Sequence, residues 1–301
     1  MRTPPSLRKG DTIGIAAPAR KISREEMLPA IAIIENQGFR IRSDEAVFNE
    51  FHQYSGTDSE RIAHFQSLLD DPEIKAIICA RGGYGAIRVI DKLDFSKFMQ
   101  NPKWIAGYSD ITVFHAHLNE VLQTESLHAT MPVNFATNTV EALQSLFDAL
   151  NGTPLNYKPE PHFLNHSGSA TGQLVGGNLS ILYSLAGSPD FPDTKGKILF
   201  LEDLDEYLYH IDRMILGLKR MGVFDQLSGL IVGGLTEMKD NAVPFGKTAL
   251  EIVAEHITGF DFPVCFGFPA GHIPDNRALI FGRDYQFDVG DKVTLREIPK
   301  R

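Results

Sequence analysis

Residues Trp104–Thr112, WIAGYSDIT, carry the reading that decides the fold. Trp104–Ala106 is an apolar run of strand type, it ends at Gly107, and a helical pattern over Ile111–Val121 follows directly. Ser109 therefore stands on a sharp strand-to-helix turn. Such a turn lifts a hydroxyl above the carboxyl end of a sheet, where open α/β folds place their sites. The next backbone N–H, that of Asp110, points out of a helix N-terminus and suits a developing oxyanion. The same Ser and Asp also read as an ordinary helix cap. The motif departs from G-x-S-x-G, because Ile111 occupies the last glycine position.

Upstream, Ile74–Cys79 is apolar apart from Lys75, as in a strand covered on both faces. It runs into ARGGYG, Ala80–Gly85. Adjacent glycines after a strand let the backbone approach a ligand, and the Gly82 and Gly83 N–H groups are candidates for a second oxyanion donor. A plain tight turn fits these residues equally. The spacing is not G-x-G-x-x-G, which argues against a dinucleotide site. Further strands are expected at Thr12–Ala17, Phe39–Ile41 and Leu127–Ala129, and helices at Arg24–Gln37, Asp58–Asp70, Ala86–Leu93 and Ala142–Leu150. This alternation predicts an open parallel α/β sheet over residues 1–150.

The chain has 301 residues, more than one core usually serves, so two domains are expected. Residues 151–170 are rich in Gly, Pro, Asn, His and Ser with little periodicity and read as a linker. In 171–301, strands are expected at Lys197–Leu201, Gly229–Gly234 and Val264–Gly267, and helices at Tyr207–Met221 and Lys247–His256. A hairpin-like alternating tail follows. This half reads as α+β or barrel-like.

Two further stretches carry chemistry. In ILFLEDLDEYLYHIDRM, Ile198–Met214, Glu202 and Asp203 end an apolar strand, and a carboxylate there can orient an imidazole. Glu206 and Asp212 are alternatives. In GFPAGHIPDN, Gly267–Asn276, His272 is framed by Gly271 and Pro274, a setting suited to a general base. His128 competes for that role. His115 and His117 face different ways on a helix, and no H-E-x-x-H occurs, so no metal is expected. Gly246–Thr248, GKT, lacks the earlier glycine of a P-loop.

Composition narrows the classes. Hydrophobic residues at 43% and charged residues at 22% are ordinary for a globular protein. The net charge of -9, without a Lys/Arg cluster, argues against nucleic acid as a partner. No apolar run approaches the roughly 18 residues of a membrane span, and the N-terminus lacks a signal h-region, so a cytoplasmic protein with no membrane partner is expected. Cys79 and Cys265 each lie in apolar runs and read as buried core residues.

RGGYG, GYSD, LVGGNL, FLED with a downstream IDRM, and GFPAGHIPDN occur in an order that closely resembles the LD-carboxypeptidase family, which includes the microcin immunity peptidases. The likeness runs from about Gly10 to about Gly282. It implies a flavodoxin-like N-terminal domain and a smaller β-rich, barrel-like C-terminal domain, with the site in the cleft between them. It implies a catalytic triad of Ser109, Glu202 and His272, with an oxyanion hole from the backbone of Asp110 and of Gly82 and Gly83. It implies a homodimer, no cofactor or metal, and a muropeptide substrate that loses its terminal D-alanine at the L,D bond. A carboxypeptidase must also bind a free carboxylate. Arg81, beside the glycine pair, is the candidate for this, with a structural ion pair as its other reading. One departure is LHATMP, where many relatives carry HG before the Met or Pro. The rival expectations are an immunity peptidase acting on a peptidyl-nucleotide, which needs an aromatic to stack on a base, and a non-catalytic two-domain peptide binder.

Overall fold

The computed structural model describes residues 1–299. The first half supplies β1 (Thr12–Ala16), α1 (Arg24–Asn36), β2 (Arg40–Arg42), α2 (Asp58–Asp70), β3 (Ile74–Cys79), α3 (Ser96–Gln100), β4 (Trp104–Gly107), α4 (Thr112–Glu120), β5 (Ser126–His128) and α5 (Val140–Asn151). Strands β2, β1, β3, β4 and β5 lie in that order and pair in parallel, as the alternation predicts. Capping boxes start two of the helices: Ser23 with Glu26 at α1, and Thr57 with Glu60 at α2. One expectation fails locally. Ala86–Leu93 is not an α-helix but two short 3₁₀ turns, Ala86–Arg88 and Ile90–Lys92. The buried Ala86, Val89 and Ile90 supply helical spacing. The segment is too short to offset helix nucleation, and Asp110 Oδ2 holds its first N–H at 2.8 Å.

The second half supplies β6 (Asn156–Tyr157), β7 (Gly168–Asn178), α6 (Leu179–Ser184), β8 (Ile198–Leu204), α7 (Leu208–Arg220), β9 (Gly229–Thr236), α8 (Ala249–Ile257), β10 (Val264–Phe266), β11 (Leu279–Phe281), β12 (Asp284–Val289) and β13 (Val293–Glu297). The sheet order is β10-β9-β8-β7-β12-β13-β6. Its β7–β10 part is parallel, each strand joined to the next through α6, α7 or α8, while β12, β13 and β6 pair antiparallel. With β10 and β6 at its edges the sheet is open, which corrects the barrel-like expectation. The strand β7 was not legible because Gly168, Gly172, Gly176 and Gly177 interrupt the apolar run that marks a strand. Residues 151–170, read as a linker, hold β6 and the start of β7.

Strand β11 crosses back to pair antiparallel with β5, so the far end of the chain completes the first sheet. A single buried cluster accordingly joins Ala106 and Leu127 of that sheet to Phe200 and Ile231 of the other, through Leu279–Phe281. A separate cluster lies under the second sheet's helices, with Ile211, Met214, Ile215 and Leu218 of α7 inward, as their spacing predicts. Cys79 and Cys265 are buried free thiols. Burial pushes both thiols up, Cys265 to about 12. Among the described residues no helix is long and apolar enough to cross a membrane.

The carboxyl ends of the two parallel sheets meet. Thr112 Oγ1, at the start of α4, accepts from Asn178 N at the end of β7 (3.0 Å). Gly177 has φ +140°, and a Cβ there would sit 2.5 Å from Thr112 Oγ1, so the halves join where only glycine fits.

Candidate active site

Ser109 follows β4 with φ 64°, in the left-handed region. For a residue with a Cβ this conformation costs about 1–2 kcal/mol, so packing must enforce it. The enforcing neighbour is the loop after β3. A Cβ on Gly82 would lie 2.8 Å from Ser109 Cβ, 2.9 Å from its Oγ and 3.4 Å from Asp110 N. The glycine backbone thus lies directly on the Ser109 turn. The buried Asp110 carboxylate accepts from Ala86 N at 2.8 Å, which fastens the two loops together. Burial pushes the pKa of Asp110 up to about 6, against the opposing N–H bonds of Ala86 and Gly85 and the charge of Arg61.

Glu202 lies near the end of β8, where the register shifts between Leu201 and Asp203, and is fully buried. Its Oε2 accepts from His272 Nδ1 at 2.6 Å and from His272 N at 3.1 Å. With Nδ1–H on the carboxylate, Nε2 is left as the basic nitrogen. Burial alone lowers the pKa of His272. The charge and hydrogen bond of Glu202, with Asp203 and Glu237 further off, outweigh it and raise the imidazole above its ordinary value.

The loop bearing His272 is held from both halves. Gly271 N donates to Asn276 Oδ1 (2.7 Å), and Thr236 Oγ1 donates to His272 O (3.0 Å). Across the cleft, Asn138 Nδ2 and Thr139 N donate to Pro274 O (2.8 and 3.1 Å), and Thr139 Oγ1 donates to Asp275 Oδ1 (3.0 Å). The ring of Tyr108, the residue before Ser109, lies 4.7 Å from that of His272, and its hydroxyl donates to Asn134 Oδ1 (3.0 Å). A cavity of about 220 Å³ opens here, lined by Tyr108, Asn134, Asn138, Glu237, His272 and Pro274 among others. Among the described residues no hydrogen bond joins Ser109 Oγ to His272.

The competing residues go elsewhere. Asp203 is buried, takes Asn178 Nδ2 and Ser180 N at 2.9 Å each, and ties β8 to the start of α6. Burial, then the neighbouring Glu202 charge, push its pKa up to about 7. Glu206 bonds His210 (2.5 Å) and Asp212 bonds His256 (2.7 Å). His128 is fully buried against Phe200 and Phe281, and burial pushes its pKa well down. Arg81, expected to meet a substrate carboxylate, has Nη1 3.1 Å from Glu26 Oε1. Tyr108, Asn134, Asn138, Glu237 and Asn276 were not singled out from the sequence. Tyr108, inside GYSD, and Asn276, the last residue of GFPAGHIPDN, carried a signal as members of those motifs.

Among the described residues, no group of three or more His, Cys, Asp or Glu could hold a metal ion. What the site offers is a hydroxyl on a strained turn, backbone donors beside it, and a carboxylate-oriented imidazole across the cleft. Those are the parts of nucleophilic acyl transfer.

Comparison with known proteins identifies the family. Residues 13–129 match the LD-carboxypeptidase N-terminal domain, and residues 171–287 the LD-carboxypeptidase C-terminal domain. A probable murein peptide carboxypeptidase of Bacillus subtilis is 32% identical, covering 98% of this chain and 94% of that protein. The microcin C7 self-immunity protein of Escherichia coli is 27% identical over 95% of this chain and 93% of its own length. The crystal structure of muramoyltetrapeptide carboxypeptidase from Oxalobacter formigenes superposes with a TM-score of 0.86 at 26% identity, over 96% of this chain and 99% of that one. With both halves matched in order, and the cleft between them furnished as described, the chain belongs to the LD-carboxypeptidase family of peptidases.

Proposed function

We propose that this protein is a serine carboxypeptidase that releases the terminal D-alanine of murein tetrapeptides by cutting the L,D bond. The carrying observation is the Glu202–His272 bond of 2.6 Å, set across the cleft from a serine held at φ 64°. Ser109 is the nucleophile. Its Oγ attacks the scissile carbonyl and passes its proton to His272 Nε2, a contact that forms when substrate fills the cleft. Glu202 holds the tautomer and stabilises the imidazolium. The N–H groups of Asp110 and of the Gly82–Gly83 loop receive the oxyanion. His272 then protonates the departing amine, and water releases the acyl group from Ser109. The murein substrate follows the names of the relatives in Bacillus subtilis and Oxalobacter formigenes. A cytoplasmic homodimer acting in cell-wall recycling completes the reading.

Mass spectrometry of a murein tetrapeptide incubated with the native protein and with Ser109→Ala tests this. Loss of one D-alanine by the native protein alone supports it. Equal cleavage by both removes Ser109 from the role, and no cleavage by either overturns the reading. Likeness to the microcin self-immunity protein makes a peptidyl-nucleotide the second substrate to try. The relatives named for murein peptides favour the first reading, and Trp104, the sole tryptophan, is buried with Nε1 on Pro5 O (3.1 Å) and offers no face to a base.

A further inference from the structure

Three cations stand on the first-half side of the cleft: Arg20 and Lys21 after β1, and Arg81 after β3. Two are already neutralised. Lys21 Nζ lies 2.6 Å from Glu50 Oε2, and Arg81 Nη1 lies 3.1 Å from Glu26 Oε1. Arg20 is exposed, and among the described residues its side chain has no ion pair or hydrogen bond.

Arg20 is also built onto the oxyanion loop. Its N–H donates to Gly82 O at 3.2 Å. Its stem lies over Gly83, where a Cβ would meet Arg20 Cβ at 2.9 Å and Cδ at 3.3 Å. Gly83 has φ +106°, so the loop and the stem pack only because no side chain intervenes. Gly82 in turn rests on Ser109. The stem is therefore packed, while the guanidinium is solvated and unpaired beside the nucleophile loop. This is the arrangement of a long cation that keeps its head available.

We infer that Arg20 binds a carboxylate of the substrate at the mouth of the cleft. The inference rests on the carboxypeptidase reading above and assigns the anion contact that reading requires. A guanidinium matches a carboxylate with two parallel N–H donors, and among the described residues Arg20 has all of its side-chain donors free for one. A murein peptide offers two sources of this chemistry, the terminal carboxylate and the carboxylate on a diaminopimelate side chain.

Steady-state kinetics on three tetrapeptides separates them: the free acid, its C-terminal amide, and a peptide with lysine in place of diaminopimelate. Arg20→Gln is expected to raise KM for the free acid about 10- to 100-fold, the range of a charge-assisted hydrogen bond. Arg20→Lys should recover part of the loss. On the peptide that lacks the contacted carboxylate, native protein and Arg20→Gln should be equal. Equality on all three peptides, or an identical loss on all three, overturns the inference. So does finding this pattern in Arg81→Gln instead. If the native protein turns over none of them, the carboxypeptidase reading has failed. Calorimetric binding of the free acid still reads Arg20 in that case, and an unchanged Kd in Arg20→Gln overturns the contact.

Discussion

Gly271 and Glu202 meet so closely that a Cβ on the glycine would sit 2.8 Å from Glu202 Oε2, the atom that takes His272 Nδ1. Gly271 also has φ +104°. One position therefore governs both the loop path and the seat of the carboxylate. Gly271→Ala should push Glu202 off the imidazole and strain the loop. Expected are a fall in kcat of at least about 100-fold and a stability loss of about 1–3 kcal/mol, read by kinetics and urea unfolding. Normal kcat in a folded Gly271→Ala protein would show that the contact relaxes harmlessly.

Ser109 trades stability for position. Its φ of 64° suits glycine, so Ser109→Gly should abolish turnover yet stabilise the protein by about 1 kcal/mol. Ser109→Ala keeps the strain and should be equally inactive without that gain. Denaturant titration of the three proteins decides. A Gly variant no more stable than the Ala variant would mean that the turn is not strained.

Glu202→Gln tests the carboxylate as a charge rather than a shape. The amide keeps the volume, but it removes the charge that holds the pKa of His272 up and brings an NH₂ into a site where Oε1 has no hydrogen-bond partner. The rate should fall by orders of magnitude, with KM little changed. A variant within about threefold of native activity would exclude Glu202 from the triad.

The two halves were unequally legible. WIAGYSDIT and IKAIICARGGYG showed the first sheet because each places an apolar strand directly before a glycine-bearing turn, and local chemistry alone fixes that pattern. Glu202 and His272 were visible as strand-end and Gly/Pro-framed residues, but their meeting was implied only by the family resemblance and not by any local spacing. It depends on β8 and β10 lying in one parallel sheet and on Asn138 and Thr139 drawing the Pro274 loop across the cleft. The return of β11 to β5 is a contact between the far end of the chain and its middle, and no spacing encodes it. Arg81 and Arg20 show the same limit. The sequence ranks Arg81 by its adjacency to the glycines, whereas Glu26, from α1, decides which cation is free.

The pH dependence should separate activity from stability. As the proposed general base, His272 must be neutral to accept the Ser109 proton, and its pKa is raised, so kcat/KM should fall as pH drops through a value above 6.5. Stability runs the other way. A raised imidazole contributes stability that is full below its unfolded pKa and is lost as pH rises through the folded one. Asp203, raised to about 7 from 3.8, likewise favours a protonated folded state and loses its contribution over that window. His272 and Asp203 thus favour the protonated, inactive form on the acid side of neutrality, whereas His115 and His128, whose buried rings are held neutral, oppose it as pH falls below 6.5. Glu237 provides a handle that touches neither Ser109 nor Glu202. It lines the cavity beside His272, and its charge helps to raise that pKa. Its nearest cation in sequence, Lys239, is 2.7 Å from Asp205 and so is already paired. Glu237→Gln should move the acid limb of kcat/KM to lower pH while leaving the plateau rate within a few fold. A limb that stays in place would mean that a group other than His272 sets it, and the general-base assignment would fall with it.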